Sequence, residues 1–476
     1  MTFARRTAVC PRDSLVRRVV VIGGGISGLA AANRLLELHP ALHLTLLEAS
    51  GRLGGTLHTE ERDGFLLERG PDSFISEKPE AVALAKRLGL ESRLIETNSE
   101  HRRSFIVRDG RLRPVPEGFQ LMAPSRIWPF LTSDIFSVMG KARMAADLVL
   151  PRRDAANGVA DESLASFVRR RLGREALERM AQPMVGGIYT ADPERLSLRA
   201  TLPRFLDMER EHRSLILAML RKTRAASGTS GARYSLFLSF DRGMEVLVRA
   251  LGKCEVRLNT RVVAIERERG FKIKTQKEEP IYADAICLAV PAYVAALLLS
   301  NINPALASQL NRINYASTAT INFAYHRDAI KHPLDGFGFV VPYVERRSLI
   351  ACTFSSVKFP GRAPENHVLL RAFVGGALQP DMFALEESDM LGRVETDLRE
   401  LLGVTSKPLF AEVSKWKNSM PQYEVGHLDR VAAIESELAQ LPNLQLAGNA
   451  YRGAGIPDCI RSGETAAEGL INSLTA

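Results

Sequence analysis

A glycine-rich turn directly after an apolar strand constrains the fold of this chain more than any other feature. Residues 17–22 read RRVVVI and run into GGGISG at 23–28. Apolar residues then recur at helical spacing until Pro40, and a second apolar run, LHLTLLE, ends at Glu48. Because a strand, a helix and a second strand in this order begin a doubly wound sheet, the sequence predicts an α/β fold that starts near residue 17.

The three glycines of this G-x-G-x-x-G pattern each have a separate physical role. Gly23 allows a tight turn, Gly25 lets a diphosphate approach the backbone, and Gly28 lets the helix pack closely on the strand. Free N–H groups and the helix dipole favour a negative charge at this point. Glu48 ends the second strand, where its carboxylate can accept hydrogen bonds from ribose hydroxyls. We therefore predict a dinucleotide site; the alternative is a glycine-rich turn that only packs.

Two further glycine-rich segments favour a flavin dinucleotide over a nicotinamide one. GRLGG occupies 51–55, and near the far end residues 453–456 precede the last helical pattern. Because a flavin cofactor is long, it needs a second contact with the chain. A loop at a helix N-terminus can supply one, since its N–H groups favour the negative charge of the reduced ring system. Arg52 adds a charged donor near the diphosphate. These features predict FAD as the cofactor, and an ordinary surface loop is the alternative for either segment.

The net charge of +9 is concentrated in one part of the chain. The whole sequence has 63 Lys+Arg and 54 Asp+Glu, and residues 101–231 alone hold 23 and 14 of these. A basic surface can meet anionic lipid, an acidic small molecule or nucleic acid. Nucleic acid is disfavoured, since neither a base-reading motif nor an aromatic stacking pattern accompanies the arginines. A solvated arginine-rich helical face is the remaining alternative.

Other patterns argue against a metal site and a membrane-spanning helix. The five cysteines show no C-x-x-C spacing and the nine histidines show no metal-ligand spacing, so no metal is predicted. The longest uncharged run, 285–311, is interrupted by Pro291 and Pro304, which predicts a strand, a turn and a short helix. Residues 1–16 lack the apolar stretch of a secretory signal. No nucleophile–base pair stands out, so no side chain is predicted to be catalytic and the chemistry is assigned to the flavin.

Several of these strings resemble a known family. GGGISGLAAANRL, GRLGG and AGN…GIPDCIRSG resemble segments of FAD-dependent amine-oxidase-like flavoproteins. Within that superfamily, LERGPDSF, GGIYTADPERLS and KWKNSMPQYEVGHLDRV are similar to segments of the oxygen-dependent, bacterial-type protoporphyrinogen and coproporphyrinogen oxidases. These strings follow the family's order over almost the whole chain.

The resemblance implies a multidomain α/β protein with a Rossmann-like FAD domain, a mixed-sheet substrate domain and a helical domain. A Gly/Ser/Ala-rich connector at 225–232 ends the helical part. The FAD-binding domain would be discontinuous and the helical one would associate with a membrane and roof a channel. The expected bounds are 17–100, 232–300 and 443–476 for FAD binding, 101–231 for the helical domain, and 301–442 for substrate binding.

The resemblance also implies the positions of the site residues. The expected substrate contacts are Arg103, Gly187 and Tyr189, with the arginine meeting a propionate. The residues expected to contact FAD run from the adenosine end to the isoalloxazine. They are Gly23, Gly24, Gly25, Ile26, Ser27, Gly28, Glu48, Ala49, Arg52, Gly55, Thr56, Gly70, Pro71, Asp72, Ser73, Val263, Trp416, Asn449, Ala454, Gly455 and Ile456.

The activity implied by the resemblance is the oxidation of protoporphyrinogen IX to protoporphyrin IX in heme biosynthesis, with dioxygen as acceptor and hydrogen peroxide as product. Coproporphyrinogen III is the alternative substrate. A flavin amine oxidase, a carotenoid desaturase or a non-catalytic escort protein are more distant alternatives. The expected location is cytoplasmic, peripheral on an anionic membrane surface at the inner face of the cell membrane. A hand-off to a chelatase and a homodimer are further expectations, and no nucleic-acid partner is expected.

Overall fold

The computed structural model describes residues 17–153, 161–226, 236–276 and 279–475. The N-terminal segment 1–16 and all but the first two residues of the connector at 225–232 lie outside the described residues. Within the described part, two large sheets and one helical region account for most of the chain.

The first large sheet has five parallel strands and begins at the strand predicted from RRVVVI. In spatial order its strands are Glu255–Arg257, His43–Leu47, Arg18–Ile22, Ala285–Leu288 and Leu444–Leu446. Helices Ile26–Leu38 and Ile456–Thr475 pack against each other on one face. They approach so closely that a Cβ on Gly463 would lie 2.1 Å from the Ser27 carbonyl oxygen. The predicted doubly wound α/β start is confirmed.

The second large sheet has seven strands and is mixed. In spatial order these are Phe410–Pro421, Tyr315–His326, His367–Gly375, Ala351–Phe354, Gly338–Val340, Phe105–Arg108 and Arg111–Pro114. Helix Glu387–Leu402 covers one face and buries Met390, Val394 and Leu398 against it. The last two strands come from residues 101–231, which the sequence assigned to a helical domain. They join the sheet because Phe105 and Val107 are buried in its core, whereas Ile106 is buried in the core of the helical region.

Beyond this hairpin and a short β-ribbon, the region up to residue 226 is helical. Its core contains a fully buried ion pair in which Arg171 Nε donates to Asp147 at 2.7 Å. Ser214 Oγ also donates to Asp147, at 2.6 Å. The helices are Ile127–Thr132, Val138–Ala145, Ala146–Leu148 (3₁₀), Leu164–Arg171, Arg174–Ala176, Leu177–Ala181 (π), Gln182–Tyr189, Leu198–Thr201, Pro203–His212 and Leu215–Ala226.

Smaller elements connect the two sheets. The uncharged run at 285–311 forms strand Ala285–Leu288 and helix Ala292–Leu299, as predicted. It also forms a second helix, Pro304–Asn311, which was not predicted. None of the helices in the described ranges combines the length and the hydropathy that a bilayer span requires. The remaining strands are Thr59–Arg62, Phe65–Glu68, Phe74–Ile75, Leu94–Glu96, Phe119–Gln120, Ala123–Pro124, Phe237–Phe240, Val262–Arg267, Phe271–Thr275 and Ile281–Ala283; the remaining helices are Glu80–Arg87, Glu91–Arg93, Glu245–Leu251, Arg327–Ala329, Tyr343–Glu345, Ser355–Lys358, Pro380–Ala384 and His427–Leu438.

Candidate functional site

The loop at 23–28 has the geometry of a diphosphate cradle. Gly23 has a φ of +110°, and a Cβ there would lie 2.3 Å from the Ala289 carbonyl oxygen. A Cβ on Gly28 would lie 1.9 Å from the Gly23 carbonyl oxygen, so the helix packs directly on the turn. A Cβ on Gly25 would instead meet no atom within 4 Å, which leaves open space at the N-terminus of helix Ile26–Leu38. This space suits a negatively charged group.

Glu48 is held against this loop at the end of its strand. One carboxylate oxygen accepts a hydrogen bond from Gly24 N at 2.7 Å, and the other accepts from the backbone N and the hydroxyl of Ser50, both at 2.7 Å. Ala49, between them, is exposed. The carboxylate therefore braces the glycine loop, and its contact with a ribose stays a prediction.

The second glycine-rich segment lies directly on the first. Gly54 N donates to Gly24 O at 2.8 Å, and a Cβ on Gly55 would lie 3.1 Å from the Gly25 Cα. The guanidinium of Arg52 donates to the carbonyls of Leu53 and Leu57, at 3.0 and 3.1 Å. Burial lowers the pKa of Arg52. Arg52 thus holds its own loop in shape, and its contact with a diphosphate stays a prediction.

Residues 70–73 continue this line of close backbone contacts toward the seven-stranded sheet. A Cβ on Gly70 would lie 1.9 Å from the Thr56 carbonyl oxygen, so the segment rests on the second glycine loop. Arg371, in the inner strand His367–Gly375, donates to Gly70 O at 2.7 Å. Trp416 Nε1 donates to Arg69 O at 2.9 Å. Pro71 is exposed beside this contact, whereas Asp72 is buried. The structure thus joins the predicted residues from the first loop to Trp416.

The C-terminal loop is fixed by two residues of the string MPQYEVGHLD. The Tyr423 hydroxyl donates to Asn449 O and accepts from Gly453 N, the latter at 2.9 Å. His427, whose pKa burial lowers to about 4, faces Tyr451 O through Nε2 at 2.9 Å, so Nε2 carries the proton. This string carries part of the family resemblance, but neither Tyr423 nor His427 is among the residues predicted from the sequence. Ala454 and Gly455 then lead into the last helix at Ile456.

The predicted residues at the two ends of the site differ in their exposure and in their contacts. Val263 lies at a bulge in its strand with 47% of its surface exposed, which leaves it accessible to an adenine. Tyr189 ends helix Gln182–Tyr189, two residues after Gly187, and its ring lies 6.3 Å from that of Tyr423. Burial raises the pKa of Tyr189 to about 12. Arg103 is paired with Asp335 at 3.2 Å, and its side chain is 56% exposed.

A cavity of about 310 Å³ lies beside Tyr423, between the turn after Tyr189 and the seven-stranded sheet. Its lining includes Arg195, whose guanidinium is paired with Glu424 at 2.7 Å. The basic residue at this cavity is therefore Arg195 and not Arg103. The sequence could not distinguish among the arginines, because it does not show which way each side chain points.

These residues fit a flavin dinucleotide. Open space at Gly25 and an acid at the next strand end lie beside the loop at 51–55, and residues 69–73 connect that loop to Trp416. The C-terminal loop at 449–456, which we call the return loop, meets the strand of Trp416, since Asn449 Nδ2 donates to Ser419 O at 3.3 Å. Among the described residues, no cluster of His, Cys, Asp and Glu could hold a metal ion. A family model described as flavin containing amine oxidoreductase matches residues 26–471. The chain belongs to this family.

Named relatives of this flavin amine oxidoreductase cover almost its whole length. Coproporphyrinogen III oxidase from Bacillus subtilis (strain 168) is 35% identical over 96% of this chain and 98% of its own. Coproporphyrinogen III oxidase from Propionibacterium freudenreichii subsp. freudenreichii is 36% identical over 96% and 91%. A crystal structure from Exiguobacterium sp. 255-15, provisionally named protoporphyrinogen oxidase, superimposes with a TM-score of 0.86 at 33% identity over 97% and 99%. The protein is an FAD-dependent oxidoreductase.

Proposed function

We propose that this flavin amine oxidoreductase oxidises a porphyrinogen to a porphyrin with dioxygen as the final acceptor, in porphyrin biosynthesis. The observation that carries the proposal is the 35–36% identity, over 96% of the chain, to two proteins named coproporphyrinogen III oxidase. Between the two candidate substrates, we therefore propose coproporphyrinogen III, the alternative of the sequence analysis, over protoporphyrinogen IX.

The chain's residues bind and orient, and FAD supplies the hydride-accepting chemistry when bound. The loop at 23–28 and the loop at 51–55 would hold the diphosphate, with Glu48 near the adenosine ribose. Trp416 and the loop held by Tyr423 would border the isoalloxazine. The cavity beside Tyr423 opens next to this end and would admit one edge of the substrate.

Anaerobic reduction tests this proposal. The FAD-loaded protein is mixed with coproporphyrinogen III or with protoporphyrinogen IX, and the loss of flavin absorbance is followed. We expect reduction by both, faster by coproporphyrinogen III. Faster reduction by protoporphyrinogen IX would reverse the choice of substrate. No reduction by either, with reduction by an amine, would contradict the function.

We also propose that this protein docks on an anionic membrane surface through the helical region, in keeping with a cytoplasmic, peripheral location. Large apolar side chains are exposed over a short stretch there: Trp128 (75%), Val138 (82%), Met139 (78%) and Val149 (74%). Arg126 and Lys141 lie within the same stretch. Exposed apolar residues flanked by cations suit an interface with anionic lipid. The hand-off to a chelatase and the homodimer stay predictions.

Vesicle sedimentation tests the membrane proposal. Trp128→Ser with Val138→Ser is expected to reduce binding to phosphatidylglycerol-containing vesicles, and added salt is expected to weaken binding of the parent protein. Leu297→Ser removes an equally exposed apolar side chain from another part of the surface and serves as the control. Equal binding by all three proteins would contradict docking through this stretch.

A further inference from the structure

Five charged side chains are buried together beneath residues 70–73. The cations are Lys358, Arg362 and Arg371, and the anions are Asp72 and Glu68. Four of these residues are less than a tenth exposed, and the Lys358 side chain is 12% exposed. We call this group the buried charge cluster. Buried charges are costly unless they are compensated, so the balance between cations and anions in the cluster matters.

Asp72 is the anion shared by two of the cations. Lys358 Nζ lies 3.2 Å from both Asp72 oxygens, and Arg371 lies 3.4 Å from one of them. Burial raises the pKa of Asp72, but Arg371 and Lys358 more than reverse this and hold the pKa well below its usual range. Asp72 is therefore ionised at neutral pH. One carboxylate thus serves two cations.

The other anion compensates little. Glu68 accepts hydrogen bonds from Met244 N at 2.7 Å and from the Thr59 hydroxyl at 3.0 Å, and burial raises its pKa to about 7. It therefore carries only part of a charge at neutral pH. The guanidinium of Arg362 donates to the carbonyls of Phe240 and Asp241, at 2.8 and 3.0 Å, and forms no ion pair among the described residues.

The cluster therefore has more positive than negative charge, and one donor of Arg371 is unused. Arg371 Nε is buried and has no hydrogen-bond partner in the described part of the chain. Lys358 packs its ammonium over the rings of Phe237 and Phe359, at 5.3 and 5.1 Å. An additional anion near these two cations would compensate the excess.

The position of the cluster indicates where such an anion would be. Arg371 holds the Gly70 carbonyl and Trp416 holds the neighbouring Arg69 carbonyl. Gly70 rests on Thr56, whose neighbour Gly55 rests on Gly25. The cluster thus lies at the far end of the line that begins at the diphosphate cradle, where the isoalloxazine of the proposed function would be.

We propose that Lys358 and Arg371 supply positive charge that stabilises the negative charge of the two-electron-reduced isoalloxazine. The inference rests on the flavin chemistry of the proposed function. In that reaction a C–H bond at a bridging carbon of the porphyrinogen breaks, and its hydrogen leaves with both electrons. FAD, when bound, would supply the acceptor for this hydride and would then carry one additional negative charge, while a pyrrole nitrogen of the substrate would release a proton. Preorganised buried cations stabilise such a charge more strongly than water does.

Sulfite affinity of the FAD-loaded protein tests the proposal without any substrate. Sulfite adds reversibly to oxidised flavin and gives a ring with the same negative charge as the reduced form. Lys358→Met removes the buried positive charge and replaces lysine by a side chain of similar shape. At an effective dielectric constant of about 20 and a separation of several ångströms, we expect the Kd for sulfite to rise at least about tenfold. A tenfold change corresponds to a two-electron potential about 30 mV lower.

Two controls separate charge from structure. Lys358→Arg keeps the charge and is expected to retain the parent sulfite affinity within a factor of a few. Lys415→Met removes a cation from an exposed position of the same sheet and is expected to leave sulfite affinity unchanged. If Lys415→Met weakens sulfite binding as much as Lys358→Met does, the effect comes from overall charge and the proposal is wrong.

Asp72→Asn gives the opposite perturbation, since it removes an anion from the same cluster. We expect it to tighten sulfite binding and raise the potential, a reversal of sign that loss of packing would not produce. Changes in the same direction for Lys358→Met and Asp72→Asn would overturn the proposal. So would unchanged sulfite affinity in Lys358→Met with a raised KM for the porphyrinogen, because the cations would then meet a substrate carboxylate.

Discussion

The buried carboxyl of Glu68 makes the stability of this flavin amine oxidoreductase dependent on pH. Burial raises its pKa from 4.5 to about 7. Between these values the folded chain keeps a proton that the unfolded chain has lost, so this contribution to stability falls as the pH rises from about 4.5 to about 7. It is complete below this window and absent above it. At 1.36 kcal/mol per pH unit the full loss is about 3 kcal/mol.

Glu68→Gln should remove this dependence, because glutamine mimics the protonated carboxyl and keeps both hydrogen bonds. Its carbonyl can accept from Met244 N, and its amide can donate to the Thr59 hydroxyl oxygen. Of the total, about 2.5 kcal/mol falls between pH 5 and pH 8. We therefore expect the free energy of unfolding of the variant, relative to the parent, to rise by about 2.5 kcal/mol over this interval.

Urea unfolding at the two pH values measures this difference. The chain has two tryptophans. A Trp128→Phe background leaves only the fluorescence of Trp416, whose Nε1 donates a hydrogen bond to the carbonyl of Arg69, the residue next to Glu68. Glu77→Gln removes a carboxylate from an exposed position nearby and controls for the loss of charge. If Glu68→Gln and the parent keep the same difference in unfolding free energy at pH 5 and pH 8, the carboxyl is ionised throughout and the reasoning fails.

Three further predictions concern the cradle, the return loop and the helical core. The Cβ of Gly25→Ala meets no protein atom, so this variant should keep the parent unfolding midpoint and weaken FAD binding in a fluorescence titration. Gly28→Ala should weaken binding and also lower the midpoint, since its Cβ would clash with the Gly23 carbonyl. Tyr423→Phe leaves two backbone groups of the return loop without their partner, at about 1–3 kcal/mol per unsatisfied group, so its FAD dissociation constant should rise at least about thirtyfold. An unchanged constant would show that the loop keeps its shape without this hydroxyl. Arg171→Met leaves Asp147 charged and buried and should cost about 3–5 kcal/mol in urea unfolding, against little change for the exposed Arg174→Met.

The parts of the site that the sequence predicted are those determined by local sequence. The strand, the glycine turn, the helix and the acid at the next strand end follow one another within about thirty residues, and each glycine has a local steric reason that the structure repeats at Gly23 and Gly28. The family resemblance added the return loop to the predicted site. Each of the two predictions rests on a short contiguous string of residues.

The parts that the sequence did not predict depend on pairing between distant segments. The hairpin at 105–114 has strand propensity of its own, but its sequence does not indicate that it pairs with strand Gly338–Val340. Asp72 and Lys358 meet across 286 positions of the chain. Arg103 was chosen from a run of basic residues, and its contact with a substrate propionate stays a prediction, because composition cannot tell a side chain that faces a cavity from one that faces water.

The five-stranded sheet also determines when its core can close during synthesis. Its central strand, Arg18–Ile22, pairs with Ala285–Leu288, and the edge beyond that waits for Leu444–Leu446. At 5–20 residues per second, roughly 20 to 85 s separate the emergence of the first strand from that of the last. During this time the apolar face that helix Ile456–Thr475 will cover stays open to solvent and to other nascent chains. For most of the elongation time, the nascent chain therefore exposes an incomplete sheet with an uncovered apolar face.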